Sequence, residues 1–102
     1  MRANPEPLRE VVARLGSLGR EQMICCRKPW SENAECVVVA PNADLTVPEA
    51  VRAAGYGYFL DVPTALEVLE VFGDREPTLV ERVRLLLYYA ENDAYPEWVY
   101  QP

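Results

Sequence analysis

The sequence contains no histidine, a single lysine beside nine arginines, and no long run of apolar residues. Without an imidazole the chain cannot build a Ser-His-Asp site, a Cys-His site, or a metal site that relies on histidine. Its sixteen acidic and ten basic residues give a net charge of −6, which disfavours binding of phosphate backbones. No segment approaches the ~18 apolar residues of a membrane helix, and the N-terminus lacks the apolar stretch of a signal peptide. The composition therefore favours a cytoplasmic protein with no nucleic-acid or membrane partner.

Residues able to carry a reaction are few. The chain has two serines, and its three threonines all begin patterns that cap helices. Glu67 and Glu70 could act as a carboxylate pair, but they are expected on an open helix face and not in the enclosed environment of a catalytic acid or base. We therefore predict a non-enzymatic protein with no catalytic residue and no cofactor.

The three cysteines are Cys25, Cys26 and Cys36. An odd number without a signal peptide argues against a disulfide framework, and a zinc site would lack its fourth ligand. We therefore expect free, buried or half-buried thiols and no metal. In a strand, Cys25 and Cys26 would point to opposite faces.

The periodicity of apolar residues predicts one domain spanning residues 1–102. Apolar positions from Leu8 to Leu18 recur at helical spacing. Strands are expected at Met23–Cys26, Cys36–Ala40 and Tyr58–Val62, with further helices near Pro48–Ala54, from Pro63, and from Thr78 to about Glu91. The first two strands should form a hairpin, and the second should reach the third by a right-handed parallel crossover. This predicts an α/β or α+β fold with a small, layered, three-stranded mixed sheet and about four helices.

Capping boxes are expected at two helix starts. Thr46 with Glu49 and Thr78 with Glu81 both have the required spacing. Asp61 or Val62 should cap the helix that begins at Pro63. On the last helix, Val80 belongs to the expected core face.

The negative charge is confined to the C-terminal part of the chain. Seven acidic and seven basic residues lie within residues 1–60, whereas residues 61–102 hold nine acidic and three basic ones. Helical geometry places Glu67, Glu70 and Asp74 in one stripe beside the core face. Glu91, Asp93 and Glu97 form a second acidic group among aromatic residues.

An acidic surface with aromatic side chains is typical of a site that recognises a basic protein. On the last helix, Leu85, Tyr88 and Tyr89 are expected to point away from the main core face, where either a second layer covers them or they are exposed. Tyr88 and Tyr89 could instead belong partly to the core, and Trp98 could either lock the tail or anchor a partner. The candidate partner-binding residues are Glu67, Glu70, Asp74, Leu85, Tyr88, Tyr89, Glu91, Asp93, Tyr95 and Trp98.

The strings YFLDVPTALEVLEVFG and LLLYYAENDAYPEW are the distinctive parts of the region from Tyr56 through Trp98. Through size, acidity and layout, this region resembles small bacterial immunity proteins, the inhibitors encoded beside polymorphic or contact-dependent growth inhibition toxins. The resemblance matches no binding motif residue by residue. It implies a cytoplasmic toxin inhibitor that binds a cognate toxin domain, often a basic nuclease.

A small adaptor or regulatory subunit that self-associates through Leu85, Tyr88 and Tyr89 is the alternative. The sequence leaves a monomer and a homodimer equally open. A nucleic-acid mimic is disfavoured because the chain has too few carboxylates for an extended surface that resembles phosphates.

Overall fold

In the computed structural model, which describes residues 4–100, the chain forms an α+β domain with four α-helices and one four-stranded sheet. Three short 3-10 turns, Leu15–Ser17, Glu70–Phe72 and Glu97–Tyr100, follow the first, third and fourth helices. The elements in chain order are β1 (Glu6–Pro7), α1 (Leu8–Ala13), β2 (Met23–Cys26), β3 (Glu35–Val39), α2 (Glu49–Ala53), β4 (Gly57–Asp61), α3 (Val62–Leu69) and α4 (Leu79–Asn92).

The strand order is β1-β3-β2-β4, and every neighbouring pair is antiparallel. The predicted hairpin of β2 and β3 is confirmed. The predicted three-stranded mixed sheet is wrong, because β4 pairs with β2 and not with β3. The strands β3 and β4 still run in the same direction, but β2 lies between them. The fourth strand, β1, is only two residues long, too short to show a period in the sequence.

The sheet buries side chains on both faces. On its main face, Ile24, Cys26 and Phe59 join residues of α1, α3 and α4 in the larger core. On its second face, Met23, Cys25 and Tyr56 form a smaller cluster that the chain around α2 covers. Cys25 and Cys26 therefore do lie on opposite faces, and all four residues of β2 are buried.

The pairing of β4 with β2 contains a bulge. Leu60 lies opposite Ile24 and Tyr58 lies opposite Cys25, so Phe59 has no residue opposite it. Phe59 and Leu60 both belong to the main core. The extra residue interrupts the alternation of the strand and turns Asp61 to the second face, the side that Tyr58 occupies.

Two of the expected helix caps are confirmed and one is wrong. Thr78 and Glu81 form the capping box of α4, and the side chain of Asp61 caps α3. The helix α2 has Pro48 and not Thr46 at its N-cap position and no side-chain cap, and the Thr46 hydroxyl accepts a hydrogen bond from the Asn42 side chain (3.0 Å) and donates one to the Asp44 carboxylate. Val80 was expected in the core of α4 but is 63% exposed.

The prediction of three free thiols is wrong. The antiparallel register places Cys26 opposite Cys36 with their Cα atoms 4.1 Å apart, and the two form a disulfide. Cys25 remains free on the second face, where burial raises the pKa of its thiol to about 11. Because Cys26 and Cys36 form a disulfide, the cysteines no longer argue for a reducing compartment.

Within residues 4–100, no helix combines the length and hydropathy of a membrane span.

Substitution of Gly55 by alanine is expected to lower the free energy of unfolding by about 1–2 kcal/mol, because Gly55 has a φ of +98°. A Cβ there would also lie 2.6 Å from a guanidinium nitrogen of Arg27, which would have to move. Gly16→Ala is the control, since its Cβ would meet nothing within 4 Å. Urea unfolding compares the two variants, and equal losses of stability would contradict this account.

Reduction of the Cys26–Cys36 disulfide, which closes a loop with a sequence separation of 10, is expected to lower the free energy of unfolding by about 3 kcal/mol. Urea unfolding with and without dithiothreitol measures the effect. The double variant Cys26→Ala/Cys36→Ala is the control and should be insensitive to the reductant. A wild-type protein with the same stability in both conditions would refute the prediction.

Candidate functional site

Carboxylates and tyrosines converge where α3, the end of α4 and the C-terminal 3-10 turn meet. The rings of Tyr89 and Tyr95 lie 5.4 Å apart between centroids, and those of Tyr95 and Tyr100 lie 6.5 Å apart. Partial burial raises the pKa of Tyr95, and the nearby Tyr89, Glu67, Tyr100 and Glu70 raise it further. We call these five residues, Glu67, Glu70, Tyr89, Tyr95 and Tyr100, the acidic–aromatic patch.

The patch is open to solvent. Tyr95 is 36% and Tyr100 is 66% exposed, and both glutamates are exposed. The part of the chain that the structure describes contains two ion pairs, Arg14–Glu6 and Arg27–Glu35, and neither involves the patch. The patch therefore combines unpaired negative charge with aromatic surface, the two features of a site that attracts and anchors a basic protein.

Arg75 fixes the tail on which Tyr95 and Tyr100 lie. Its guanidinium donates hydrogen bonds to the backbone carbonyls of Phe72 (3.0 Å), Val71 (3.2 Å) and Val99 (2.7 Å). The side chain of Val99 is fully buried. The tail is therefore docked on the domain, and the patch has a defined geometry.

Trp98 also docks the tail. The centroid of its ring lies 6.4 Å from that of the Phe72 ring. The guanidinium of Arg84 lies 4.6 Å from the same Trp98 centroid. Trp98 is partly buried against the main core. Of the two roles left open by the sequence, these contacts favour locking of the tail over anchoring of a partner.

Leu85 does not belong to any surface. It was expected to point away from the core, but it is fully buried in the main core. The reason is that α4 packs against both α1 and α3, so its buried face is wider than the single stripe assumed from the sequence. Leu85 is therefore withdrawn from the candidate partner-binding residues.

The remaining candidate residues lie apart from the acidic–aromatic patch. Glu91 lines a separate cavity of about 420 Å³ with Lys28 and Trp30. Asp93 ends α4 in a left-handed conformation, and its backbone N–H donates to the carbonyl of Tyr89. Asp74 and Tyr88 are exposed.

The structure thus brings together four of the ten candidates, Glu67, Glu70, Tyr89 and Tyr95. It adds Tyr100, for which the sequence offered no signal beyond its place among the aromatic residues near the C-terminus.

A second group of titratable residues serves the fold. The Tyr56 hydroxyl donates to the Glu35 carboxylate, and the Arg27 guanidinium lies 4.5 Å from the centroid of the Tyr56 ring and 3.3 Å from that carboxylate. The hydrogen bond from Tyr56 and the charge of Arg27 lower the pKa of Glu35. This triad ties the end of α2 to β3.

No cluster of three or more His, Cys, Asp or Glu side chains suited to a metal ion occurs within residues 4–100.

A family model described as "Domain of unknown function (DUF7716)" matches residues 5–98. Neither the curated proteins nor the solved structures gave a significant match. The match spans four residues of the acidic–aromatic patch and ends before Tyr100.

Substitution of Arg75 by alanine is expected to loosen the tail, because the carbonyls of Val71, Phe72 and Val99 lose a charged donor. Exchange of the Val99 amide hydrogen, which is bonded to the carbonyl of Pro96, should accelerate by about tenfold or more. Arg84→Ala is the control, because it removes the contact with the Trp98 ring but no carbonyl bond. Unchanged protection of Val99 in Arg75→Ala would refute this role.

Proposed function

Because the chain belongs to the DUF7716 family, whose description names no activity, we propose a function from the geometry of its own surface. The protein is a non-enzymatic binding protein that recognises a basic protein surface through the acidic–aromatic patch. In its specific form the proposal is an immunity protein, which acts in the cytoplasm and neutralises a cognate toxin domain.

The observation that carries the proposal is the position of two exposed carboxylates beside exposed tyrosine rings. Glu67 and Glu70 lie close enough to Tyr95 to raise its pKa. Charges at the rim of an interface accelerate association with an oppositely charged partner, and tyrosines slow dissociation because they bury a large rigid surface. The docked tail keeps both features in a fixed arrangement, which reduces the entropy lost on binding.

Inhibition follows when such a patch meets a nuclease. An enzyme that binds a phosphate backbone needs clustered lysines and arginines in its cleft. A carboxylate surface held over that cleft competes for the same cations and blocks the substrate.

The alternative of a self-associating adaptor loses its main support with Leu85, which is buried. Of the three residues first assigned to it, Tyr88 is 40% exposed and Tyr89 packs partly against the main core. Sedimentation of the purified chain separates the two functions: a monomer agrees with the inhibitor, and a stable dimer broken by Tyr88→Ala supports the adaptor.

The double variant Glu67→Lys/Glu70→Lys is expected to bind the protein encoded by the adjacent gene at least about tenfold more weakly than the wild type. Calorimetry at low and high salt should also show a smaller salt dependence in the variant, because fewer charges meet across the interface. A growth assay with the toxin domain should show loss of protection.

The matched control is Glu10→Lys/Glu32→Lys, which changes the net charge equally on exposed residues outside the patch. Equal weakening by both variants would mean that only net charge matters. No weakening by the patch variant would refute the acidic–aromatic patch as the binding surface.

A further inference from the structure

A groove of about 760 Å³ opens on the second face of the sheet, at the end where β2 begins. Its apolar lining includes Met23, Ala40, Pro41 and Pro63, with the ring of Tyr58 on β4. The segment around α2 covers the neighbouring part of this face, where Val47 and Val51 pack on the smaller core. The groove is therefore the part of the second face that the fold leaves open.

The bulge in β4 builds a tyrosine–carboxylate pair in this groove. The Tyr58 hydroxyl donates to Oδ2 of Asp61 (3.3 Å) and accepts the backbone N–H of Asp61 (3.1 Å). The other carboxylate oxygen, Oδ1, accepts the backbone N–H of Thr64 (2.7 Å). Asp61 is thereby held in one orientation, while Tyr58 remains 45% exposed to solvent.

The Tyr58–Asp61 pair contains two of the three groups of the Arg27–Glu35–Tyr56 triad on the same face, a tyrosine hydroxyl and a carboxylate. It has no guanidinium. In the triad, a tyrosine hydroxyl donates to the Glu35 carboxylate, and Arg27 stacks on the Tyr56 ring and binds that carboxylate. Among residues 4–100, four cations lie over aromatic rings, and none of them lies over Tyr58. The Tyr58–Asp61 pair therefore offers the contacts of a cation clamp to a cation from outside.

Leu45 at the rim of the groove supports an external occupant. Its φ is +68°, a left-handed conformation that is unfavourable for a residue with a Cβ. Hydrogen bonds of Asn42 with Leu45 (2.8 Å) and Thr46 (2.9 Å) hold the loop in this shape. The side chain is nevertheless 77% exposed, so the domain gains no burial from it. An apolar side chain held open beside an aromatic ring suits the aliphatic part of an arginine.

The groove and the acidic–aromatic patch both use residues of α3. Pro63 and Thr64 line the groove at the start of α3, and Glu67 lies one turn further along the same helix. The eight residues of α3 span about 12 Å, which one protein interface easily covers.

We propose that the groove seats an arginine side chain of the same basic partner, with its guanidinium stacked on Tyr58 and bound by Asp61. This inference rests on the proposed function, because it names a chemical feature of the partner that the acidic–aromatic patch attracts. The carboxylate of Glu21 adds negative charge at the rim, whereas Arg20 on the same rim opposes the incoming cation.

The test uses the whole protein, labelled with ¹⁵N, and the peptide acetyl-Leu-Arg-Leu-amide as the probe. Saturable amide shifts are expected at Leu45 and from Tyr58 to Asp61. The matched peptide with citrulline, which has the same shape but no charge, should bind at least about fivefold more weakly. Arg20→Ala should strengthen binding of the arginine peptide.

Two variants test the clamp without removing the helix cap or the apolar wall. Asp61→Asn keeps a side chain that caps α3, and Tyr58→Leu keeps an apolar residue. Each should weaken the arginine peptide at least about fivefold, whereas Glu35→Gln in the occupied triad should not. Shifts confined to Tyr95 and its neighbours, equal binding of the citrulline peptide, or no effect of Asp61→Asn would overturn the inference.

Binding to the protein encoded by the adjacent gene separates this inference from the proposed function. If Glu67→Lys/Glu70→Lys weakens that complex while Asp61→Asn and Tyr58→Leu do not, the groove inference is wrong and the proposed function stands. If the adjacent gene product does not bind but the arginine peptide seats in the groove, the proposed function fails and the clamp remains.

Discussion

The pairing of β4 with the central strand β2 is the constraint on which the rest of the structure depends. All four residues of β2 are buried, so its two faces divide the apolar residues into two cores. The bulge opposite β2 directs Phe59 and Leu60 into the main core and Asp61 to the other face. Asp61 then ends β4 and caps α3, so the same irregularity positions the helix that carries Glu67. The groove and the acidic–aromatic patch thus originate from one strand pairing.

The sequence predicts elements whose signals are local. The hairpin of β2 and β3 and the caps at Asp61 and Thr78 depend on neighbouring residues, and the structure contains all of them. The sheet order was not accessible in this way, because the period of β4 does not specify whether it pairs with β2 or β3. The Thr46 capping box is absent because α2 begins two residues later than the pattern requires, with Pro48 at the N-cap position, and the Thr46 hydroxyl accepts a hydrogen bond from the Asn42 side chain instead.

The errors about the cysteines and about Leu85 share a different cause. The number of cysteines does not show which strand positions lie opposite each other. Only the antiparallel pairing of β2 and β3 shows that Cys26 faces Cys36. A helical projection likewise assumes one buried face, whereas α4 is covered from two sides. For the candidate site, charge and aromatic content pointed to the C-terminal part of the chain. Tertiary contacts were needed to select four of the ten residues and to add Tyr100.

The negative surface results from how the arginines are used as well as from how many there are. Residues 61–102 contain three arginines. Arg75 donates to three backbone carbonyls, and Arg84 stacks on the Trp98 ring. In the part of the chain that the structure describes, neither of them forms an ion pair with Glu67 or Glu70. The contacts that hold the tail in place therefore also leave the carboxylates of the patch unneutralised, so that docking of the tail and the negative charge of the patch have a common origin. A cation from a partner would be the first to pair with these carboxylates, in the same way that Arg27 pairs with Glu35 on the other side of the domain.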